Sequence, residues 1–133
     1  MIDGSNMEPI AIVTLLALIE YLVFGVLVAL SRGKTDIKPP ATAGDPIFER
    51  YFRVHQNTLE QLVIFLPSLW LFGYYVNALI GAGVGLIFII GRFLYLRGYV
   101  EDPAKREMGF VVGQVAQTIL LLGGLIGATV SWW

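Results

Sequence analysis

Four long apolar segments make up most of the chain, at roughly 8–30, 54–76, 78–98 and 107–133, and all nine Lys and Arg residues fall within 32–53 and 92–106, between or at the ends of those segments. Each segment is long enough to cross a bilayer, because about 20 apolar residues rising ~1.5 Å apiece span a hydrocarbon core of ~30 Å. In lipid the backbone must satisfy its own hydrogen bonds, so spans of this length are helices. A chain of 133 residues that is 56% hydrophobic and 14% charged, with a mean hydropathy of +0.73, is too apolar for a soluble domain. The expected fold is an all-α membrane protein: one transmembrane domain over 1–133, a four-transmembrane-helix bundle with helices at about 8–31, 46–76, 78–99 and 104–131.

Charge sets the expected topology, since cytoplasmic loops collect Lys and Arg. Arg32, Lys34 and Lys38 lie in the first loop, and Arg50 and Arg53 where the second helix begins. Arg92, Arg97, Lys105 and Arg106 surround the third loop, whereas the N-terminus, the Val76–Leu79 connection and the C-terminus carry no base. Both termini therefore fall on the non-cytoplasmic side, with Trp132 and Trp133 in the outer interfacial belt. Met1–Glu8 carries Asp3 and Glu8 but no base, and the apolar run that follows is too long for a signal peptide, so it reads as a retained first span. The absence of cysteine removes disulfides, thiolate metal sites and a cysteine nucleophile. The lone His55 makes no metal site either.

Proline and glycine punctuate the rest. Lys34–Pro46 is a loop, with Pro39-Pro40 and Gly44 inside it, and Asp45-Pro46 reads as the N-cap and first turn of the second helix. Pro67 should kink or locally open that helix. Asn77 ends it at a very short turn, which makes the second and third helices antiparallel neighbours. Asp102-Pro103 breaks the chain before the fourth helix. Gly81/Gly85, Gly109/Gly113 and Gly123/Gly127 have the spacing that lets helices approach closely in lipid, within one chain or between subunits.

The polar residues of the helices are arranged on faces. Arg50, Arg53, Asn57 and Glu60 follow steps of three and four, which at ~100° per residue is one side of the second helix. Arg92, Tyr95 and Tyr99 do the same on the third. Arginines at a membrane rim often only snorkel to headgroups, which accounts for Arg97 and Lys105 but not for Asn57 or Glu60. An ionisable residue within a spanning helix marks a site by default, and Glu60 needs Arg53, Arg50 or the ammonium of a ligand beside it. Glu20, midway along the first helix, reads as structural glue, paired across to another helix or protonated. Guanidinium forks take carboxylates, Glu takes an amine, and Asn and Tyr bridge the remainder. The set suits a small peptide-like anion with two carboxylates and one amine, with apolar walls below for a second, lipid-soluble molecule.

The run Glu49-Arg50-Tyr51-Phe52-Arg53-Val54-His55-Gln56-Asn57-Thr58-Leu59-Glu60 resembles the E-R-x-x-R-x-x-x-N-x-x-E signature of the MAPEG superfamily, membrane-associated proteins in eicosanoid and glutathione metabolism. The resemblance extends over nearly the whole chain through Pro39-Pro40, Arg92-Phe93-Leu94-Tyr95, Gly98-Tyr99 and Asp102-Pro103-Ala104-Lys105-Arg106. It implies a homotrimer that binds glutathione as co-substrate between adjacent subunits near the cytoplasmic face. By motif, Arg53, Asn57, Glu60, Tyr95 and Tyr99 match glutathione contacts; Arg32 matches another arginine that reaches the tripeptide, and Arg50 and Arg92 match members of the same cationic cluster. His55 matches a glutathione-pocket histidine of the prostaglandin E synthase branch, and Arg106 matches the arginine that stabilises the glutathione thiolate in transferase branches. Gly33 and Gln61 depart from relatives that carry arginine and an aromatic residue there.

The resemblance further implies a membrane-bound glutathione transferase, most similar to the microsomal transferases. Its catalytic residue is Arg106, and it conjugates lipophilic electrophiles or reduces lipid hydroperoxides. Two alternatives stand beside it: a non-catalytic lipid-binding or scaffold member, and a glutathione-dependent isomerase like prostaglandin E synthase. The expected location is a bacterial inner membrane, or the endoplasmic reticulum of a eukaryote.

Overall fold

The computed structural model describes residues 6–133, so Asp3 and the start of the acidic N-terminal stretch lie outside the described residues. Four helices follow in order: α1 (Glu8–Thr35), α2 (Pro46–Tyr75), α3 (Ala78–Glu101) and α4 (Glu107–Trp132), with a short 3-10 turn at Pro103–Lys105 before α4. The boundaries follow local chemistry. Asp45 caps α2 by accepting from the amides of Ile47 and Phe48, and Asn77 caps α3 by accepting from the amide of Ile80. Asp102 accepts from the amide of Ala104 and starts the 3-10 turn, which places Arg106 at the N-cap of α4 rather than within its first turn. α1 continues to Thr35, where Asp36 takes a left-handed conformation and ends it. Pro67 sits inside α2, which remains one helix from Pro46 to Tyr75.

Residue pairings define an up-down-up-down bundle. Gly73 meets Ile10 and Gly25 meets His55, so α1 and α2 are antiparallel. Phe72 lies against Gly81 while Arg92 bonds Asn57, so α2 and α3 are antiparallel too. Gly98 faces Lys105, Gly109 faces Tyr95 and Gly91 faces Gly113, which sets α4 antiparallel to α3. All three glycine pairs singled out by spacing are used inside the chain: Gly81 and Gly85 seat Ile10, Val13 and Leu69, and Gly123 and Gly127 seat Phe72 and Val76. The largest core cluster centres on Phe65 and Phe88, whose rings stack at 3.9 Å. A second, smaller cluster of Phe24, Val54, Tyr95 and Leu96 supports the charged end of the bundle.

Three helical segments, Glu8–Thr35, Ala78–Glu101 and Pro103–Trp132, are long and apolar enough to cross a membrane. α2 is not among them despite its 30 residues, because Glu49, Arg50, Arg53, Glu60 and Gln61 leave it only a shorter apolar half. Large apolar side chains such as Leu22, Leu79 and Leu125 are well exposed on the bundle's outside, the inverse of a soluble protein and the surface that lipid covers.

Candidate functional site

At the basic end of the bundle, α2, α3 and the turn before α4 line an open cavity of about 420 Å³. α2 contributes Arg53, Gln56, Asn57 and Glu60, α3 contributes Tyr95 and Tyr99, and the turn before α4 contributes Arg106. Helical periodicity accounts for the first group and the tight α3–turn–α4 link for the last. The Gly98 position abuts the carbonyl of Lys105, and only a residue without a Cβ allows that approach. The Arg106 guanidinium donates to the Pro103 carbonyl at 2.6 Å and lies 5.9 Å from the Tyr99 ring, so the turn holds it over the cavity.

Behind the cavity wall, Arg92 is among the largest fully buried side chains, 2% exposed. Its Nη2 donates to Asn57 Oδ1 and Thr58 Oγ1, its guanidinium lies 4.4 Å from the Tyr95 ring centroid, and its Nε has no partner. Glu20 of α1 is within electrostatic reach of Arg92, although the two form no ion pair. The sequence places Arg92 on the same face as Tyr95 and Tyr99, but it does not line the cavity; it supports two residues that do.

Three further candidates also lie away from the cavity within this chain. Arg32 donates to the carbonyls of Ile37 and Ala41 and covers the Phe48 ring at 4.6 Å, tying down the first loop. Arg50 donates to the carbonyls of Val100 and Glu101 and so caps the C-terminal end of α3. The His55 ring stacks on Tyr21 of α1 at 4.4 Å, on the side of α2 turned toward α1. Gln56 is a cavity residue that the motif does not mark. It stands three residues after Arg53 and four before Glu60, which is the same helical stripe. Among the described residues the single salt bridge is Lys105–Glu101, so neither Arg53 nor Arg50 closes on the Glu60 carboxylate.

Fold and cavity together define a class: a multi-pass helical membrane protein with a polar, arginine-bearing cavity at one rim. The chain belongs to the MAPEG family, whose profile matches residues 10–126. It is 37% identical over 129 residues to microsomal glutathione S-transferase 2 of Homo sapiens, covering 97% of this chain and 88% of that one. An uncharacterized protein of Synechocystis is 45% identical over 116 residues, 87% of this chain and 85% of the other. Leukotriene C4 synthase of Rattus norvegicus is 31% identical over 135 residues, with coverages of 93% and 90%. The family is one of glutathione-related membrane enzymes, with glutathione and lipophilic substrates as its ligands.

Proposed function

We propose that the protein is a membrane-bound glutathione transferase that holds glutathione in the rim cavity, ionises its thiol and conjugates it to lipophilic electrophiles. The convergence of Arg53, Asn57, Glu60, Tyr95, Tyr99 and Arg106 on one cavity is the observation that carries the reading. Arg53 takes a glutathione carboxylate, the unpaired Glu60 takes the α-ammonium, and the amide of Asn57 and the Tyr hydroxyls bridge the peptide. A cavity of about 420 Å³ is within the range of small-molecule sites. A thiol with a pKa of ~8.5 is mostly protonated at neutral pH, and the thiolate is the nucleophile. The fixed guanidinium of Arg106 favours the anion, about 1.4 kcal/mol for each pKa unit of depression. The thiolate then attacks an electrophilic carbon, forming the C–S bond as the leaving group departs. It can equally attack a lipid hydroperoxide, releasing the alcohol and leaving an oxidised sulfur that a second glutathione reduces to the disulfide and water.

The whole chain acts as one transmembrane domain. The apolar half of α2 completes a fourth crossing, which sets both termini on the non-cytoplasmic side and the cavity at the cytoplasmic face. The active form is a homotrimer in which Arg32 and His55 of one protomer complete the open side of the neighbouring cavity. That arrangement accounts for their lying outside the cavity of their own chain. Arg50 and Arg92 act from behind it, through α3 and Asn57.

The test uses the purified protein in detergent with glutathione and 1-chloro-2,4-dinitrobenzene. Wild type is expected to turn over and to show thiolate absorbance in the ultraviolet on binding glutathione. Arg106→Ala is expected to bind glutathione but lose most of that absorbance, while Arg53→Ala and Glu60→Ala weaken binding. Unchanged thiolate formation in the Arg106 variant, or undiminished affinity in both of the others, would falsify the assignment.

A further inference from the structure

On the other side of the basic rim, two cavities of about 280 Å³ and 140 Å³ share Leu27 of α1 and Tyr51 of α2 as lining residues. They adjoin at these two side chains, between the charged ends of α1 and α3, and this cleft has no lining residue in common with the glutathione cavity. Its walls are apolar, chiefly Leu27, Leu96 and Val100, and they reach the bundle's outer face at Leu30, which is 57% exposed. Each wall also carries a cation: Lys34 on α1 and Arg97 on α3. Neither has a salt-bridge partner among the described residues. The acid lining the cleft, Glu101, is held by Lys105 at 2.6 Å, and Arg50 adds a further positive group against the Val100 and Glu101 carbonyls. The cleft therefore has a net positive rim over an apolar trough that opens toward the surrounding membrane.

We propose that this cleft is a binding site for one anionic phospholipid, with an acyl chain laid along Leu27, Leu96 and Val100 and the phosphate held at the rim by Lys34 and Arg97. Basic pockets between spanning helices on the cytoplasmic side have the chemistry that selects such headgroups. A zwitterionic lipid fits the trough but brings its own cation to a rim that already has two. A free phosphate matches the rim but leaves the apolar walls uncovered. Snorkelling of Arg97 alone places a charge near headgroups without a trough or a second cation.

Native mass spectrometry of the detergent-purified protein titrated with dioleoyl phosphatidylglycerol or dioleoyl phosphatidylcholine reads the site directly. At about fivefold per interfacial Lys or Arg, phosphatidylglycerol should be retained at least tenfold more tightly than phosphatidylcholine. The Lys34→Gln/Arg97→Gln double variant should bind phosphatidylglycerol about 25-fold more weakly. Lys38→Gln, which removes a loop cation outside both cavities, should stay within about twofold of wild type. Circular dichroism establishes that the double variant is helical, and Arg97→Lys, which keeps the charge, should retain most of the preference. Equal retention of the two lipids, or wild-type retention in the double variant, overturns the proposal. So does complete displacement of the lipid by millimolar inorganic phosphate, which marks an anion site without a lipid component. Glutathione binding should be intact in the double variant, so failure here and failure of the glutathione assignment are separate results.

Discussion

Arg92 of α3 donates from a single nitrogen, Nη2, to Asn57 Oδ1 at 2.8 Å and to Thr58 Oγ1 at 2.9 Å on α2. Thr58 in turn donates its hydroxyl to the Val54 carbonyl, so the guanidinium is fastened to the helix backbone through one intermediary. With its oxygen taken, the Asn57 carboxamide has its NH2 group left for the cavity, a donor suited to a peptide carbonyl or carboxylate.

Replacing Arg92 with Gln should therefore weaken glutathione binding by about tenfold or more, since a hydrogen bond from a charged donor is worth ~1.5–3 kcal/mol. The pKa of the bound thiol should not move, because Arg106 is untouched. Calorimetric titration with glutathione and ultraviolet titration of the thiolate separate the two effects. Wild-type affinity in Arg92→Gln would show that the buried guanidinium does not organise the cavity.

Gln56 has a lesser but distinct part. It lines the cavity on the stripe of Arg53 and Glu60 and makes no hydrogen bond to either of them. Gln56→Leu keeps the volume and removes the amide, so the KM for glutathione should rise about three- to tenfold, the worth of one neutral hydrogen bond. Turnover at saturating glutathione should be retained. A fall in kcat with an unchanged KM is the opposite pattern and would remove Gln56 from ground-state binding.

Legibility of these features in the sequence follows a physical line. Segment length and charge placement make the helices readable, and the three-and-four steps of Arg53, Asn57 and Glu60 reveal a cavity wall, because both depend only on local periodicity. Gln56 obeys the same periodicity, but the steps of three and four from Arg53 to Glu60 close equally well through Asn57, so the pattern alone does not add it. Burial of Arg92 is a different matter. It depends on Asn57 and Thr58 arriving from α2, a tertiary fact that no helical wheel contains. The same holds for Arg32 and His55, whose immediate partners are a loop carbonyl and an α1 ring. The Asp102-Pro103 break is visible in sequence, but that Asp102 starts a 3-10 turn packed against Gly98, with Arg106 ahead of α4, is not.

Asp45 fixes where α2 begins and thus where Arg50 and Arg53 stand. Its Oδ1 accepts from the Ile47 amide at 2.8 Å and the Phe48 amide at 3.1 Å, while Glu49 reaches back to the Gly44 amide at 2.9 Å. Asp45→Ala should cost about 1 kcal/mol of stability, and Asp45→Asn much less. Unfolding in mixed detergent reads both. Equal stability of wild type and the Ala variant would mean that Pro46 and packing alone start the helix.

Gly109 offers the sharpest link between packing and chemistry. A Cβ there would land on the backbone of Leu94 and Tyr95, so α3 and α4 would have to separate beside Tyr95 and three residues from Arg106. Overpacking of this kind typically destabilises by ~1–3 kcal/mol. Gly109→Ala should therefore lower the unfolding temperature and also reduce thiolate formation, as Arg106 moves away from the cavity. Gly83 in the same bundle has nothing within 4 Å of the added carbon, and Gly83→Ala should be neutral or stabilise α3 by about 0.5–1 kcal/mol. Thermal unfolding and dinitrobenzene turnover on both variants test the coupling. A Gly109 variant that loses stability while keeping full thiolate absorbance would show that Arg106 is held by its own turn, through the Pro103 carbonyl, independently of how closely α4 packs on α3.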